Sequence, residues 1–350
     1  MKNVLIIKPS SFGDVVQALP VAAHIRETWP GARISWLVNT QYKRLLEHNP
    51  CIDSMLLFQR HLWKAQRDLP SAVSSFTRLC RRLYAARFDA VLDLQGLFRS
   101  GFLTAVTGAP IRVGFANARE YAHLFYTRRV KVADPDMHAV ERYLLAAEAL
   151  GGKRGEVRFP LGIGDEEEAW AARLLVVGRS RRGAVIGLSP TARWKTKRLP
   201  YDSAARIGDI LASKGAEVVI IGGLSGEGEE IVRRMQKKAL AVDRITDPLR
   251  MAALLKRLDV VVTTDSGPMH LAAALGVPVV ALFGPTNPSR TGPFPKGIPS
   301  GWGGAGHRVI CAGVDCRPCY RRDCDRVPDC MSTFRPEAIC EAVKEILARK

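Results

Sequence analysis

The residues best suited to chemistry lie in three short strings, each placed after an apolar run. Asp265-Ser266-Gly267-Pro268-Met269-His270 follows Val260-Val261-Val262. Lys195-Thr196-Lys197-Arg198 sits within TARWKTKRLP (Thr191–Pro200), after Ala184–Leu188. Lys8-Pro9-Ser10-Ser11-Phe12-Gly13-Asp14 follows Val4–Ile7. A β-branched apolar run suits a buried parallel strand. Ser266 is a good N-cap residue and Pro268 suits a first helical turn, so a helix is expected to start there. Met269, Leu271, Ala272 and Leu275 offer its packed face, Gly276 ends it, and Val277–Phe283 reads as the next strand. In open α/β sheets ligands bind beyond the carboxyl ends of strands, where a helix N-terminus presents free N–H groups to phosphate. Asp265, Ser266, Gly267 and His270 are thus placed to hold a nucleotide-sugar. The same string reads equally as an αβ turn with an ordinary N-cap.

The other two strings carry complementary chemistry. Asp14 is expected in the first turn of a helix, where the helix dipole favours a carboxylate by about 0.3–1 kcal/mol. That alone explains an acid there. The functional alternative is a general base drawing a proton from an attacking hydroxyl, an effect of about 10²–10⁴-fold in rate. Gly13 permits close backbone approach at that helix start. The GxGxxG fingerprint, such a string set between a strand and a helix, is missing, which argues against a dinucleotide dehydrogenase. Lys195, Lys197 and Arg198 put positive charge at another strand's carboxyl end. A diphosphate leaving group needs such neutralisation, and lysine or a helix N-terminus supplies it without a metal; the alternative is an exposed basic turn. Glu227, with Glu229 and Glu230 beside it, stands where an acid often holds ribose hydroxyls. Arg60 and Lys64 would share one face of a helix, either gripping an anionic acceptor or forming a solvated basic face.

Six of the eight cysteines crowd the C-terminal end. Cys316-x-x-Cys319 followed by Cys324 and Cys330 could bind zinc or an iron–sulfur cluster, but the spacing matches no standard zinc pattern. Ordinary buried or surface thiols are the default. A disulfide framework is not expected, because residues 1–7 lead into Lys8-Pro9 without a signal-peptide pattern.

The elements that must position these residues alternate. Strands are expected at Val4–Ile7, Arg33–Val38, Ser54–Phe58, Ala90–Leu94, Ile111–Phe115 and Arg129–Lys131. Helices are expected at Asp14–Thr28, Ala72–Arg87 and His138–Leu150. Gly151–Asp165 reads as a linker. The rhythm restarts with strands at Ala184–Leu188 and Glu217–Ile221 and helices at Tyr201–Lys214, Glu227–Lys238 and Pro248–Arg257. Pro285–Ser300 is expected to be a loop and Arg335–Arg349 a terminal helix. The fold class is therefore α/β, with two Rossmann-like domains facing across a cleft.

The chain has 350 residues, 47% of them hydrophobic and 25% charged, within the range of globular proteins. No apolar run approaches the roughly 18 residues needed to span a bilayer. The formal net charge of +18 favours anionic partners. Neither an RNA-recognition motif nor zinc-finger spacing is present, so an acidic substrate or a membrane surface is expected rather than nucleic acid.

Six strings in one order resemble the lipopolysaccharide heptosyltransferases of glycosyltransferase family 9. They are KPSSFGDVVQALP (Lys8–Pro20), DLQGLFRS (Asp93–Ser100), AREYAHLFYTR (Ala118–Arg128), HAVER (His138–Arg142), TKRLP (Thr196–Pro200) and DSGPMHLAAALGVPVVALFGPT (Asp265–Thr286). The N-terminal strings look closest to heptosyltransferase I. The resemblance implies a GT-B architecture and inverting, metal-independent transfer from ADP-L-glycero-β-D-manno-heptose to the Kdo–lipid A inner core, with no cofactor required. It implies Asp14 as catalytic base, and Thr191, Lys197, Glu227, Asp265, Ser266, Gly267 and His270 as donor-binding residues. Ser10, Ser11 and Gly13 would form the loop near the reacting centre. Arg60, Lys64 and Arg119 would grip the anionic acceptor. The alternatives are a family 9 transferase adding a later heptose or another sugar, or a non-catalytic nucleotide- or RNA-binding protein. There are two departures: Leu199 stands where the family usually has Trp, which would alter packing near the donor, and the cysteine-rich tail, absent from typical heptosyltransferase I sequences, bears on the subfamily and hence the acceptor.

The expected organisation is an acceptor domain over 1–160, a donor domain over 161–334, and a terminal helix over 335–350 that could pack back on the first domain. The expected location is cytoplasmic, peripheral on the inner face of the inner membrane.

Overall fold

The computed structural model describes residues 1–58, 69–152, 155–176, 183–295, 306–327 and 329–349. The chain divides into two units, Met1–Gly162 and Ile163–Lys350.

In the first unit, β1 (Asn3–Ile7) leads into α1 (Phe12–Thr28), then β2 (Arg33–Asn39) and β3 (Ser54–Phe58). There follow α2 (Leu69–Ala85), β4 (Ala90–Asp93), α3 (Phe98–Val106), β5 (Ile111–Phe115), β6 (Arg128–Val130) and α4 (Ala139–Glu148). The strands pair in parallel in the order β3-β2-β1-β4-β5-β6. Val4, Leu5, Ile6 and Ile7 are fully buried, as a strand covered on both faces requires. Helix α1 is buried on almost every residue from Val15 to Ile25, because the sheet covers one side and α4 the other.

The second unit repeats this plan. It runs α5 (Asp165–Val176), β7 (Val185–Ser189), α6 (Tyr201–Ser213), β8 (Glu217–Ile221), α7 (Glu227–Arg234), β9 (Leu240–Val242) and α8 (Pro248–Lys256). It continues with β10 (Val260–Thr264), α9 (Gly267–Ala274), β11 (Val279–Phe283), α10 (Pro288–Thr291), β12 (Arg308–Cys311) and α11 (Pro336–Leu347). Its parallel sheet is ordered β12-β11-β10-β7-β8-β9. In each sheet the winding starts at the centre, runs to one edge, then returns to the centre and runs to the other. The reversals fall between β1 and β4 and between β7 and β10, and such points open crevices at the carboxyl ends of the strands.

Several elements differ from expectation. Helix α3 is absent from the periodicity because Phe98–Val106 contains Gly101, and that glycine is a packing requirement. A β-carbon there would lie 2.7 Å from the Phe125 ring and 3.0 Å from the Ala122 carbonyl. Helix α5 begins at the end of the expected linker, its first turn carrying Asp165, Glu166, Glu167 and Glu168 at the positive end of the helix dipole. Strands β9 and β12 are short, and α10 occupies four residues of the expected Pro285–Ser300 loop. The terminal helix α11 packs within the second unit. Ile339, Cys340, Val343 and Ile346 are buried in one cluster with Ile207 and Leu211 of α6 and Val262 of β10. Among the described residues, no helix is long and apolar enough to cross a membrane.

Candidate active site

In the first unit, the candidate residues gather where β1 ends beside β4. Ile7 is paired with Asp93, so the following Lys8 lies against the end of β4. Its ammonium donates to the Leu94 carbonyl at 3.2 Å and lies 4.9 Å from the centre of the Tyr143 ring. Burial penalises the Lys8 cation, but Asp14, Tyr143 and Asp93 outweigh that and hold its pKa above the ordinary lysine value. Asp14 stands in the first turn of α1. Its Oδ2 accepts from the Ser11 N–H at 2.8 Å and the Ser11 hydroxyl at 2.6 Å. Its Oδ1 meets the Tyr143 hydroxyl at 3.3 Å and the Lys8 ammonium at 3.8 Å. One oxygen is thus fixed by short bonds and the other has only long contacts to these groups. The Asp14 side chain is 39% exposed while Lys8 is buried. This carboxylate, oriented and open to solvent, can accept a proton from a hydroxyl placed against it.

The neighbouring turn is also constructed around a carboxylate. Asp93 is fully buried, accepts from the Gln95 and Gly96 N–H groups at 2.9 and 3.1 Å, and takes the Tyr126 hydroxyl at 2.7 Å. Burial raises the Asp93 pKa despite those bonds, and burial next to Asp93 raises that of Tyr126. The Arg119 N–H donates to the Gly96 carbonyl at 3.0 Å, so exposed Arg119 sits beside this turn. Gln95 and Arg99 line a small crevice with Pro9 and Ser10. Among the described residues, the buried Gln95 Oε1 has no hydrogen-bond partner. Arg60 and Lys64 lie outside the described residues.

The donor candidates of the second unit meet because β7, β10 and β11 are neighbours. Thr263 of β10 pairs with Ser189 of β7 and Ala281 of β11. The loops that follow the three strands therefore leave the sheet side by side. Lys197 comes from the first, Asp265 from the second and Thr286 from the third. The Lys197 ammonium lies 2.5 Å from Asp265 Oδ2, and the Thr286 hydroxyl donates to the same oxygen at 2.7 Å. His270 Nε2 lies 3.9 Å from Asp265 Oδ1. The Lys197 and Asp265 side chains are only 14% and 6% exposed. Lys197 also sits 4.4 Å from the centre of the Trp194 ring, a contact that attracts a cation. Thr191 is joined to the group through its carbonyl, which accepts from the Thr264 hydroxyl at 3.4 Å.

Ser266 occupies the N-cap of α9 but does not cap it with its side chain. Its hydroxyl lies 3.3 Å from that of Thr263 instead. The first-turn N–H groups of α9 therefore point beyond the strand end without a Ser266 oxygen on them, an arrangement suited to an anion. The N-terminus of α7 differs, since the Asp243 carboxylate takes the Gly228 and Glu229 N–H groups at 2.9 and 2.8 Å. Glu227, in the first turn of α7, accepts from the Ser225 N–H at 3.0 Å. It stands after β8, the strand next to β7, rather than in the Lys197–Asp265–Thr286 group.

Residues 76–324 match glycosyltransferase family 9 (heptosyltransferase), well over half of the chain. The chain belongs to glycosyltransferase family 9. It is a glycosyltransferase with the α/β fold of the GT-B class, in which each unit is Rossmann-like. It is 30% identical to the lipopolysaccharide heptosyltransferase 1 of Pseudomonas aeruginosa, over 93% of this chain and 88% of that protein. The lipopolysaccharide core heptosyltransferase OpsX of Haemophilus influenzae is 27% identical over 84% of this chain and 82% of its own length. The lipopolysaccharide heptosyltransferase 2 of Escherichia coli is also 27% identical, over 83% and 85%. Among solved structures, a family 9 glycosyltransferase from Veillonella parvula superposes with a TM-score of 0.82 at 22% identity, covering 100% of this chain and 98% of that one. The E. coli heptosyltransferase WaaC with ADP gives 0.75 at 23% identity, covering 98% and 99%.

Lys8, Tyr143, Trp194 and Thr286 were not singled out by sequence reasoning. Tyr143 directly follows the HAVER string and Thr286 ends the DSGPMH string, so position within the family strings was the available signal. For the cysteines, no group of three or more His, Cys, Asp or Glu side chains among the described residues is arranged to hold a metal. Cys316, Cys319, Cys324 and Cys330 are free and half-buried. Burial, then Asp329 and the other three thiols, pushes the Cys330 thiol up to about 11. That favours the protonated form of the Cys330 thiol at neutral pH.

Proposed function

We propose that the protein transfers heptose from ADP-heptose to the Kdo–lipid A inner core of lipopolysaccharide, with inversion at the anomeric carbon. The observation that carries this reading is the Lys197–Asp265–Thr286 group beside the N-terminus of α9, in a chain of family 9. Lys197 and the α9 N–H groups would receive the ADP diphosphate and stabilise its developing charge as the glycosidic bond breaks. Asp265 holds the ammonium in place. Asp14 Oδ1 would accept the proton of the acceptor hydroxyl as that hydroxyl attacks the carbon from the face opposite ADP, with Ser11 fixing the carboxylate. Glu227 would meet the ribose, and Ser10, Gly13 and Arg119 would border the acceptor. The heptosyltransferase names of the P. aeruginosa and H. influenzae relatives support the sugar and the acceptor class. The WaaC structure named with ADP supports the nucleotide.

The acceptor is membrane-bound, and a peripheral location is part of this reading. Phe98, Phe102, Tyr121 and Leu124 are exposed large apolar residues of the first unit. Phe102 and Phe98 each meet the Phe125 ring edge-on, with centroids 6.4 and 5.4 Å apart. Exposed Arg99, Arg119 and Arg128 accompany them in sequence. Such a mixture suits an anionic bilayer surface, with apolar side chains entering the headgroup layer and arginines meeting phosphates.

The similarity to a heptosyltransferase 2 keeps a second acceptor in view, a core already carrying one heptose. The deciding experiment supplies purified enzyme with ADP-heptose and either Kdo–lipid A or its monoheptosylated product, and follows ADP release and product mass. Transfer to Kdo–lipid A supports the reading. Transfer only to the monoheptosylated acceptor replaces it with the second, and no heptose transfer to either sinks both.

A further inference from the structure

The segment over 317–322, between β12 and α11, has no part in the chemistry just described. It nevertheless binds both loops that meet at Asp265. Three consecutive carbonyls at the end of β11 accept hydrogen bonds from it. Arg317 Nε donates to the Gly284 carbonyl at 2.7 Å, and Arg317 Nη2 donates to the Thr286 carbonyl at 3.1 Å. The Cys319 and Tyr320 N–H groups both donate to the Pro285 carbonyl at 3.0 Å. On the other side, the Thr196 hydroxyl donates to the Arg321 carbonyl at 2.7 Å. Arg322 lies 5.2 Å from the centre of the same Trp194 ring that Lys197 approaches.

The space between these segments is closed. A β-carbon at Gly284 would lie 2.5 Å from Met331 Sδ, 2.9 Å from Cys330 Sγ and 3.3 Å from the Thr196 carbonyl. Movement of the 284–286 loop is therefore felt by the loop carrying Lys197. The guanidinium is planar, so its two donors fix the spacing of the two carbonyls they reach. Thr286, the residue whose carbonyl Arg317 holds, is the one whose hydroxyl meets Asp265 beside the Lys197 ammonium.

We propose that Arg317 is a positioning residue for the donor half of the site: its bidentate grip on the 284–286 loop sets Thr286 against Asp265 and so aims Lys197 at the donor diphosphate. The proposal rests on the donor-site reading above. Arg317 acts through Thr286 and Asp265.

The test is ADP titration by calorimetry on full-length protein, with Arg317→Ala, Arg317→Lys, Thr286→Val, the Arg317→Ala/Thr286→Val double variant and Lys197→Met. Two bonds from a charged donor are lost in Arg317→Ala, so ADP affinity should fall about tenfold or more. Arg317→Lys keeps the charge but only one of the two bonds, so it should fall in between; it also provides the measurement if the alanine variant does not fold. In the Thr286→Val background, Arg317→Ala should have a much smaller effect, because both act on the same contact. Donor KM should rise more than kcat falls. A merely structural Arg317 would lower the melting temperature and leave the affinity of the folded protein unchanged, which overturns the proposal. So would full additivity with Thr286→Val. If Lys197→Met weakens ADP binding while neither Arg317 variant does, only this proposal fails. If Lys197→Met leaves ADP binding unchanged, the donor-site reading fails and this inference with it.

Discussion

The Lys197–Asp265 pair permits a separation of structural from functional charge. The ammonium and carboxylate are 2.5 Å apart, with side chains 14% and 6% exposed. Removing one member leaves an uncompensated buried charge, a change that costs about 3–5 kcal/mol. Lys197→Met should destabilise the protein by that order, because Asp265 then keeps only the Thr286 hydroxyl and a distant His270. For a unit of this size that corresponds to a fall of roughly 6–20 °C in melting temperature. Replacing both charges, in Lys197→Met/Asp265→Asn, should recover most of the stability, since neutral replacements of a buried pair are often tolerated. ADP affinity should behave differently. A hydrogen bond to a charged group contributes about 1.5–3 kcal/mol, so loss of the ammonium should weaken ADP binding by roughly 10- to 150-fold. The double variant should remain weak, because no cation has returned. Calorimetric ADP titration and thermal unfolding on the same samples measure both quantities. Recovery of ADP affinity in the double variant would refute the reasoning, since Lys197 would then serve only to satisfy Asp265.

Asp14→Asn should reduce turnover by about 10²-fold or more while leaving ADP affinity intact; near-normal turnover would remove Asp14 as the base. Buried His307 has its pKa lowered to about 4 by burial. Because the folded value lies below the unfolded 6.5, its contribution is complete above pH 6.5 and is lost as pH falls toward 4, on the order of 3 kcal/mol. Denaturant unfolding between pH 7 and 4 checks this, and His307→Asn, which cannot titrate, should flatten that limb. Phe98→Ser/Leu124→Ser should reduce sedimentation with vesicles containing anionic lipid while leaving the melting temperature within a few degrees. Equal binding to those vesicles by the parent and the double variant would discard the surface assigned to the bilayer.

Much of the element pattern was legible because its signals are local. Strands such as β3, β5 and β8 are short apolar runs bounded by turn residues, and they lie where the pattern placed them. Helix α3 escaped because Gly101 weakens local helix propensity while meeting a tertiary need, the close approach of Phe125 and Ala122. The terminal helix was legible as a helix, but local helix signals do not name the surface that buries it. The core around Ile207 and Val262 decided that.

For the site, the sequence by itself determined which charged residues follow which strands. Asp14, Lys197 and Asp265 were all placed after apolar runs, because strand ends and helix starts carry local turn and capping signals. Only the tertiary structure decided which of them meet. Lys197 and Asp265 are 68 residues apart and touch because β7 lies beside β10. Thr286 joins them from the neighbouring β11, and Tyr143 reaches Asp14 across 129 residues because α4 packs on α1. Strand order and helix packing are collective outcomes of burying a whole sheet, and no local stretch of sequence encodes the neighbours that result.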